Sequence, residues 1–152
     1  MPSVFQGLTV RENLALAAGF RGGASRHAAR VLESLGLARK PDAVVSTLSH
    51  GEQQWLEICM VLLQNPSVIL LDEPAAGMTQ EERVQTVKLI RQLGVDHTVV
   101  VVEHDMGFIR ALDAPVAMLD RGKVFRVGSF DEISSDPEVI SIYLGRRDVA
   151  RR

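Results

Sequence analysis

Cysteine is almost absent from this chain: Cys59 is the only one in 152 residues. A lone thiol closes no internal disulfide, and no metal-ligand spacing surrounds it. It sits in an apolar run, where it reads as a small buried hydrophobe that fits a reducing compartment. Long apolar runs are missing as well. Stretches such as 68–71 and 99–102 fall far short of the roughly 18 residues a membrane-spanning helix needs. Any link to a membrane is therefore expected to run through a partner. Met1-Pro2-Ser3 leads into neither a charged segment nor an apolar core, so no secretory leader is expected. Charge of one sign is lacking too. The 17 basic and 19 acidic residues leave a net charge of -2, which gives no electrostatic footprint for nucleic acid. The one local excess is four arginines within the last seven residues, Arg146 to Arg152, and it reads as a solvated end.

What is present suffices for one globular domain with a core, since 46% of the residues are hydrophobic. The first third reads helical. Thr9 and Glu12 have the spacing of a capping box and predict a helix to about Ala18. A glycine-rich break from Gly19 to Gly23 follows. A second helix is expected from about Ser25 to Leu35, with Val31, Leu32 and Leu35 on one face and Gly36 as its stop. Lys40-Pro41-Asp42 reads as a loop. Ser49 and Glu52 form a second capping box, opening a helix to about Gln64 that Asn65-Pro66 ends.

Ser67 to Leu71 and Thr98 to Val102 are short continuous apolar runs, the pattern of strands buried on both faces of a parallel sheet. Between them, Thr79 and Glu82 form a third capping box. Its helix carries Val84, Val87, Leu89, Ile90 and Leu93, with Gly94 expected to close it. A short helix from about Met106 to Leu112 comes next. A hairpin should then turn at Asp120-Arg121-Gly122-Lys123, and two small helices, near Phe130 and after Asp136-Pro137, finish the chain. Strand, helix, strand, helix is α/β order, and its crossovers imply a parallel sheet.

Three places carry possible chemistry. Asp72 and Glu73 stand where the first strand ends, and in open α/β sheets ligands gather at the carboxyl ends of strands. Asp72 is placed to hold Mg²⁺, and Glu73, one residue further out, to polarise a water. Solvated loop charges are the plain alternative. Leu48-Ser49-His50-Gly51-Glu52-Gln53 is the second place. Ser49 caps a helix whose amides and dipole favour an anion, and Gly51 lets backbone approach a phosphate. An ordinary capped helix is the alternative. The third is His104, at the end of the second strand, where a structural histidine is the alternative.

The order of these segments resembles the ABC ATPases. Leu48 to Gln53 is similar to their signature motif, Leu-Ser-Gly-Gly-Gln, and Val68 to Pro74 to their Walker B strand. His104 is similar to their switch histidine, which contacts the γ-phosphate. Residues 75–79 fall at the D-loop, which often ends in aspartate where this chain has Thr79. His50 replaces the first glycine of the signature. The resemblance implies a fold: a partial α/β nucleotide-binding domain of P-loop NTPase type, with a parallel sheet and a helical subdomain. It spans 1–152, with a helical and signature region at about 8–64 and a Walker B to C-terminal region at about 65–152. It also implies ATP and Mg²⁺ as cofactors. Asp72 would be the metal carboxylate, and Glu73 and His104 the catalytic residues. Ser49, His50, Gly51, Glu52, Gln53, Gly77 and Met78 would be the residues facing nucleotide. Segments 5–14, 48–60 and 73–78, with the ending 139–146, resemble importers of the branched-chain amino acid and urea class, and the urea-type branch most.

No Gly-x-x-x-x-Gly-Lys-Ser/Thr occurs, and the one Gly-Lys pair, Gly122-Lys123, sits in the expected hairpin. In this family that phosphate loop lies N-terminal to everything seen here. The glutamine of the Q-loop would stand just before Met1, and Gln6 reads as a surface residue. The expectation is thus the ATP-binding, ATP-hydrolysing subunit of an importer for urea or branched-chain amino acids, truncated at its N-terminus and inactive alone. Its partners would be a second ATPase subunit, identical or not, and membrane-spanning permease subunits, which would hold it on the cytoplasmic face of the cell membrane. The alternative is a non-catalytic module that docks on transporter subunits or completes a partner's ATP site. A non-transport ABC ATPase is disfavoured by the neutral charge. Sheet edges and apolar faces left bare predict a chain that aggregates or melts easily when expressed alone; a sharp cooperative melt with monodisperse behaviour would count against this.

Overall fold

Thr9 opens the first helix as the sequence predicts. In the computed structural model, which describes residues 4–19 and 26–149, α1 spans Val10–Gly19. The Glu12 carboxylate accepts from the Thr9 amide at 2.7 Å, and the Thr9 hydroxyl accepts from the Glu12 amide at 3.2 Å. Each such cap contributes about 1 kcal/mol. Asn13 is fully buried and fixes the entry to this helix. Its side-chain amide donates to the carbonyls of Phe5 and Thr9, and its oxygen accepts from the Phe5 amide. The glycine-rich break beyond Gly19 and the expected start at Ser25 lie outside the described residues, as do the last three residues, 150–152, of the arginine-rich end.

The chain divides into two compact units, Met1–Glu103 and His104–Arg152. In the first, α2 (Arg26–Ser34) is followed by Gly36 at φ 73°, the left-handed conformation expected of its stop. Two single-turn 3-10 helices, Leu37–Arg39 and Val45–Thr47, then lead to α3 (His50–Leu62). Backbone hydrogen bonds tie residues 6–11 to residues 41–46, among them Val10 N to Ala43 O and Val45 N to Leu8 O. These fix the loop in front of α3 and have no local signature in the sequence. The core gathers Val10, Leu37, Val45, Leu56, Ile58, Leu62, Ile69, Leu89 and Leu93. Cys59 is buried among them, and burial pushes its thiol up to about 12.

β1 (Val68–Asp72) and β2 (Thr98–Val102) pair in parallel, Val68 opposite Thr98 and Asp72 opposite Val102. α4 (Gln80–Asp96) crosses between them and packs on β2. Two expectations are corrected here. Gly94 does not close α4, which runs through it to Asp96 and is capped by His97. A glycine stops a helix when it takes a positive φ; within a helix it only costs about 1 kcal/mol. The strands are also not buried on both faces. Ile69 and Leu71 are buried, whereas Val68 and Leu70 are 52% and 75% exposed, and Val100 and Val102 are 45% and 60% exposed. The alternation of a half-covered sheet replaces the continuous burial that the apolar runs suggested, because only one face of this two-stranded sheet is packed.

In the second unit, Asp105 caps α5 (Met106–Leu112) by accepting from the Phe108 amide. β3 (Val116–Asp120) and β4 (Lys123–Gly128) form the expected antiparallel hairpin. Arg121 and Gly122 both take positive φ, 47° and 77°, as a two-residue turn of this hand requires. α6 (Phe130–Ser135) opens with a capping box at Ser129, and α7 runs over Pro137–Val149, 13 residues rather than a small helix. Arg126 pairs with Asp136 at 3.0 Å and with Glu138, joining β4 to the start of α7. Among the described residues no helix is long and apolar enough to cross a membrane.

Candidate functional site

Three segments of the first unit meet around the N-terminus of α3. Ser49 caps this helix: its hydroxyl accepts from the Glu52 amide at 3.1 Å, and Glu52 accepts from the Ser49 amide at 3.0 Å. The next capping box, at the start of α4, has the same form, with Glu82 accepting from the Thr79 amide at 2.9 Å. The two boxes interlock. The Ser49 hydroxyl donates to the second oxygen of Glu82 at 2.6 Å. A Cβ on Gly51 would stand 2.6 Å from the Glu82 carboxyl group, so only glycine leaves room for this contact. Deeper in, Trp55 donates through Nε1 to the Thr86 hydroxyl at 2.8 Å, a buried second tie between α3 and α4.

The loop after β1 closes the other side. Gly77 takes φ 69° in the turn between β1 and α4, and a Cβ there would stand 3.1 Å from the His50 ring. His50 is exposed, with one edge of its ring against Gly77. Met78 is buried, with its sulfur 3.2 Å from the Thr86 hydroxyl. Gln53 donates to the Leu48 carbonyl and accepts from Gln6 at 2.9 Å. Gln6 is at the surface, as its sequence context suggests, yet it rests on the signature-like segment. Lys40 pairs with Glu52 at 2.6 Å.

These contacts set the charges. Partial burial is the largest influence on Glu52 and opposes ionisation. The hydrogen bonds from Lys40 and the Ser49 amide, with the charge of Lys40, outweigh it and hold the carboxyl below its usual range. Glu82 is held low chiefly by the Ser49 hydroxyl, then by the Thr79 amide. Both carboxylates therefore stay ionised at neutral pH.

Asp72 and Glu73 stand exposed at the end of β1. Glu73 takes φ 47°, and its amide donates to the Val102 carbonyl at 2.9 Å, extending the parallel ladder by one step. The turn beyond it is fixed from below. Pro74 and Ala75 are buried, and the Ala75 amide donates to the Glu103 carboxylate at 3.1 Å. Glu103 thus ties the end of β2 to the turn that carries Glu73. His104 follows it directly and opens the second unit, exposed. Among the described residues no three His, Cys, Asp or Glu side chains cluster as a metal site. Asp72 alone fits Mg²⁺ only in the manner of a phosphate-bound ion, which takes one or two carboxylates and fills its other positions with phosphate and water. The sequence reading missed Glu82, Lys40 and Glu103. The bare glycine at 51 was the sole local sign that a neighbour needed the space.

The profile described as ABC transporter matches residues 1–76, half of the chain. A high-affinity branched-chain amino acid transport ATP-binding protein, LivG of Salmonella typhimurium, is 34% identical over 120 residues, which cover 78% of this chain and 47% of LivG. BraF of Pseudomonas aeruginosa, which carries the same description, is 33% identical over 124 residues, covering 80% of this chain and 49% of BraF. The chain spans about half the length of the curated relatives it matches. Among solved structures, the ADP conformation of MJ1267, an ATP-binding cassette of an ABC transporter, superposes with a TM-score of 0.78 at 25% identity, covering 95% of this chain and 66% of that one. The α/β fold is that of such a cassette in part, and the chain belongs to the ABC transporter family, in its ATP-binding domain.

Proposed function

We propose that this chain forms part of the ATP-binding subunit of an importer for amino acids or related small solutes, and that Ser49 to Gln53 close on the phosphates of ATP held by a phosphate loop. The observation that carries this is the joining of the signature-like turn to the loop after β1 through Ser49 and Glu82. It brings the capped N-terminus of α3 beside the start of α4, and a helix of 13 residues whose first two amides, His50 and Gly51, precede its capped one favours an anion there. Asp72 would hold Mg²⁺ together with the phosphates, Glu73 would polarise the attacking water, and His104 would act as the γ-phosphate switch. The ion neutralises charge on the phosphates when bound.

The solute class rests on relatives named for branched-chain amino acids, and on others named for nopaline and methionine. Within that class we retain urea as the narrower reading, on the phrases at 48–60 and 73–78. The working assembly pairs two ATP-binding subunits with membrane permeases on the cytoplasmic side. The test is association. The chain is mixed with a complete ABC ATP-binding subunit that carries a phosphate loop and cannot hydrolyse ATP, and is then sedimented with and without Mg-ATP. A 1:1 complex that needs ATP is expected. The same sedimentation profile with and without ATP sinks the reading.

A further inference from the structure

The Ser49 hydroxyl has one proton to give. Here it is given to Glu82, at 2.6 Å, while the Ser49 oxygen accepts from the Glu52 amide. A phosphate that took a hydrogen bond from Ser49 would have to take that proton away from Glu82. Glu82 cannot withdraw freely, because its other oxygen is held by the Thr79 amide at 2.9 Å and its carboxyl group lies against Gly51. It is also a negative charge at the very turn proposed to meet an anion.

We infer that Glu82 is a positioning residue acting through Ser49: it latches the signature serine while no phosphate is present, and yields the hydroxyl when a phosphate arrives. The inference rests on the reading of Ser49 to Gln53 as the phosphate-facing turn. The exchange breaks one hydrogen bond, Ser49 to Glu82, and forms one, Ser49 to phosphate; no covalent bond changes. Because Glu82 is the third residue of α4, releasing it also frees the start of α4 and the Gly77–Thr79 loop before it. The groups that face Glu82 are His50, whose charge favours its ionised form, and Glu52, which it opposes. Thus the latch stays charged at neutral pH, and its release depends on the incoming phosphate.

The test uses the whole chain and the ATP-loaded, hydrolysis-deficient partner described above. Glu82→Gln replaces a charge-assisted acceptor by a neutral one of the same shape, and hydrogen bonds to ionised groups are roughly twice as strong. The ATP-dependent complex should tighten at least about fivefold in that variant. In the Ser49→Ala background the same change should tighten the complex clearly less, by the relief of charge alone, since no hydroxyl remains to be released. An unchanged or weaker complex for Glu82→Gln overturns the latch, and so does a tightening that is as large without Ser49 as with it. Circular dichroism confirms that each variant is folded.

A second measurement needs no partner. Titration of Glu82 followed by NMR in the chain alone should show its pKa rising in Ser49→Ala, and an unmoved pKa overturns the contact itself. If the unaltered chain forms no ATP-dependent complex, the phosphate-facing reading fails on its own, and the titration still decides whether Ser49 is held by Glu82.

Discussion

Trp55→Ala is expected to destabilise the chain by about 3–5 kcal/mol, the usual cost of emptying a large aromatic site. Trp55 is 4% exposed and spans the seam between α3 and α4. Its removal leaves a cavity beside Thr86 in the buried core. It also strips the Thr86 hydroxyl of the donor at 2.8 Å, while that hydroxyl keeps its bond to the Glu82 carbonyl one turn earlier. A domain's whole stability is about 5–15 kcal/mol, so this one change should bring the first unit close to unfolding. Trp55→Phe keeps one aromatic ring but loses the pyrrole part with its N–H, and should cost less than Trp55→Ala, about 1–3 kcal/mol. Urea denaturation of the three proteins measures both. A loss below about 1 kcal/mol in Trp55→Ala would show that α3 and α4 are held together elsewhere.

Glu73→Gln is the larger expected effect on function. Placed in a complete cassette in which this chain follows a phosphate loop, the variant should bind ATP as the unaltered protein does and lose turnover by about 100-fold or more. The reason is local. Glu73 sits in a left-handed turn at φ 47°, its amide is tied to Val102, and buried Pro74 and Ala75 hold the chain just beyond. Glutamine keeps the shape and tolerates that conformation as glutamate does, yet it cannot act as a base. Binding and chemistry should therefore separate. Steady-state ATPase rates beside equilibrium ATP binding decide it, and unaltered turnover would remove Glu73 from the role proposed for it.

How much of this was legible in the sequence depended on how local each cause was. The capping boxes at Thr9, Ser49 and Thr79 form as predicted because each is settled within four residues, by a hydroxyl and a carboxylate at fixed spacing. The turn at Arg121-Gly122 is equally local. The parallel pairing of β1 and β2 followed from the helix between them. Burial did not, because Val68, Leu70, Val100 and Val102 are apolar whether or not something packs on them. Gly94 misled because a glycine marks a helix end only when the backbone turns there. The second role of Glu82 was hidden for another reason. Its capping partner is three residues away, but Ser49 is 33 away, and no local pattern records that contact. Gln6 with Gln53, Lys40 with Glu52 and Glu103 with Ala75 are of the same kind.

The bare face of β1 and β2 bears on every experiment with the chain alone. Four exposed apolar side chains on a parallel sheet support the expectation of aggregation at high concentration. Dilute conditions, or the presence of the partner subunit, are the appropriate setting for the measurements above.

Amide hydrogen exchange locates the phosphate contact most directly. The chain is compared before and after it meets the phosphate-loop subunit loaded with Mg-ATP, and again with that subunit free of nucleotide. Protection gained at the first two amides of α3, His50 and Gly51, which precede the capped Glu52 amide, only when ATP is present, is the result predicted here. Association that leaves the His50 and Gly51 amides exchanging as before, with protection gained elsewhere on the chain, would contradict the assignment of Ser49 to Gln53 as the surface that closes on ATP.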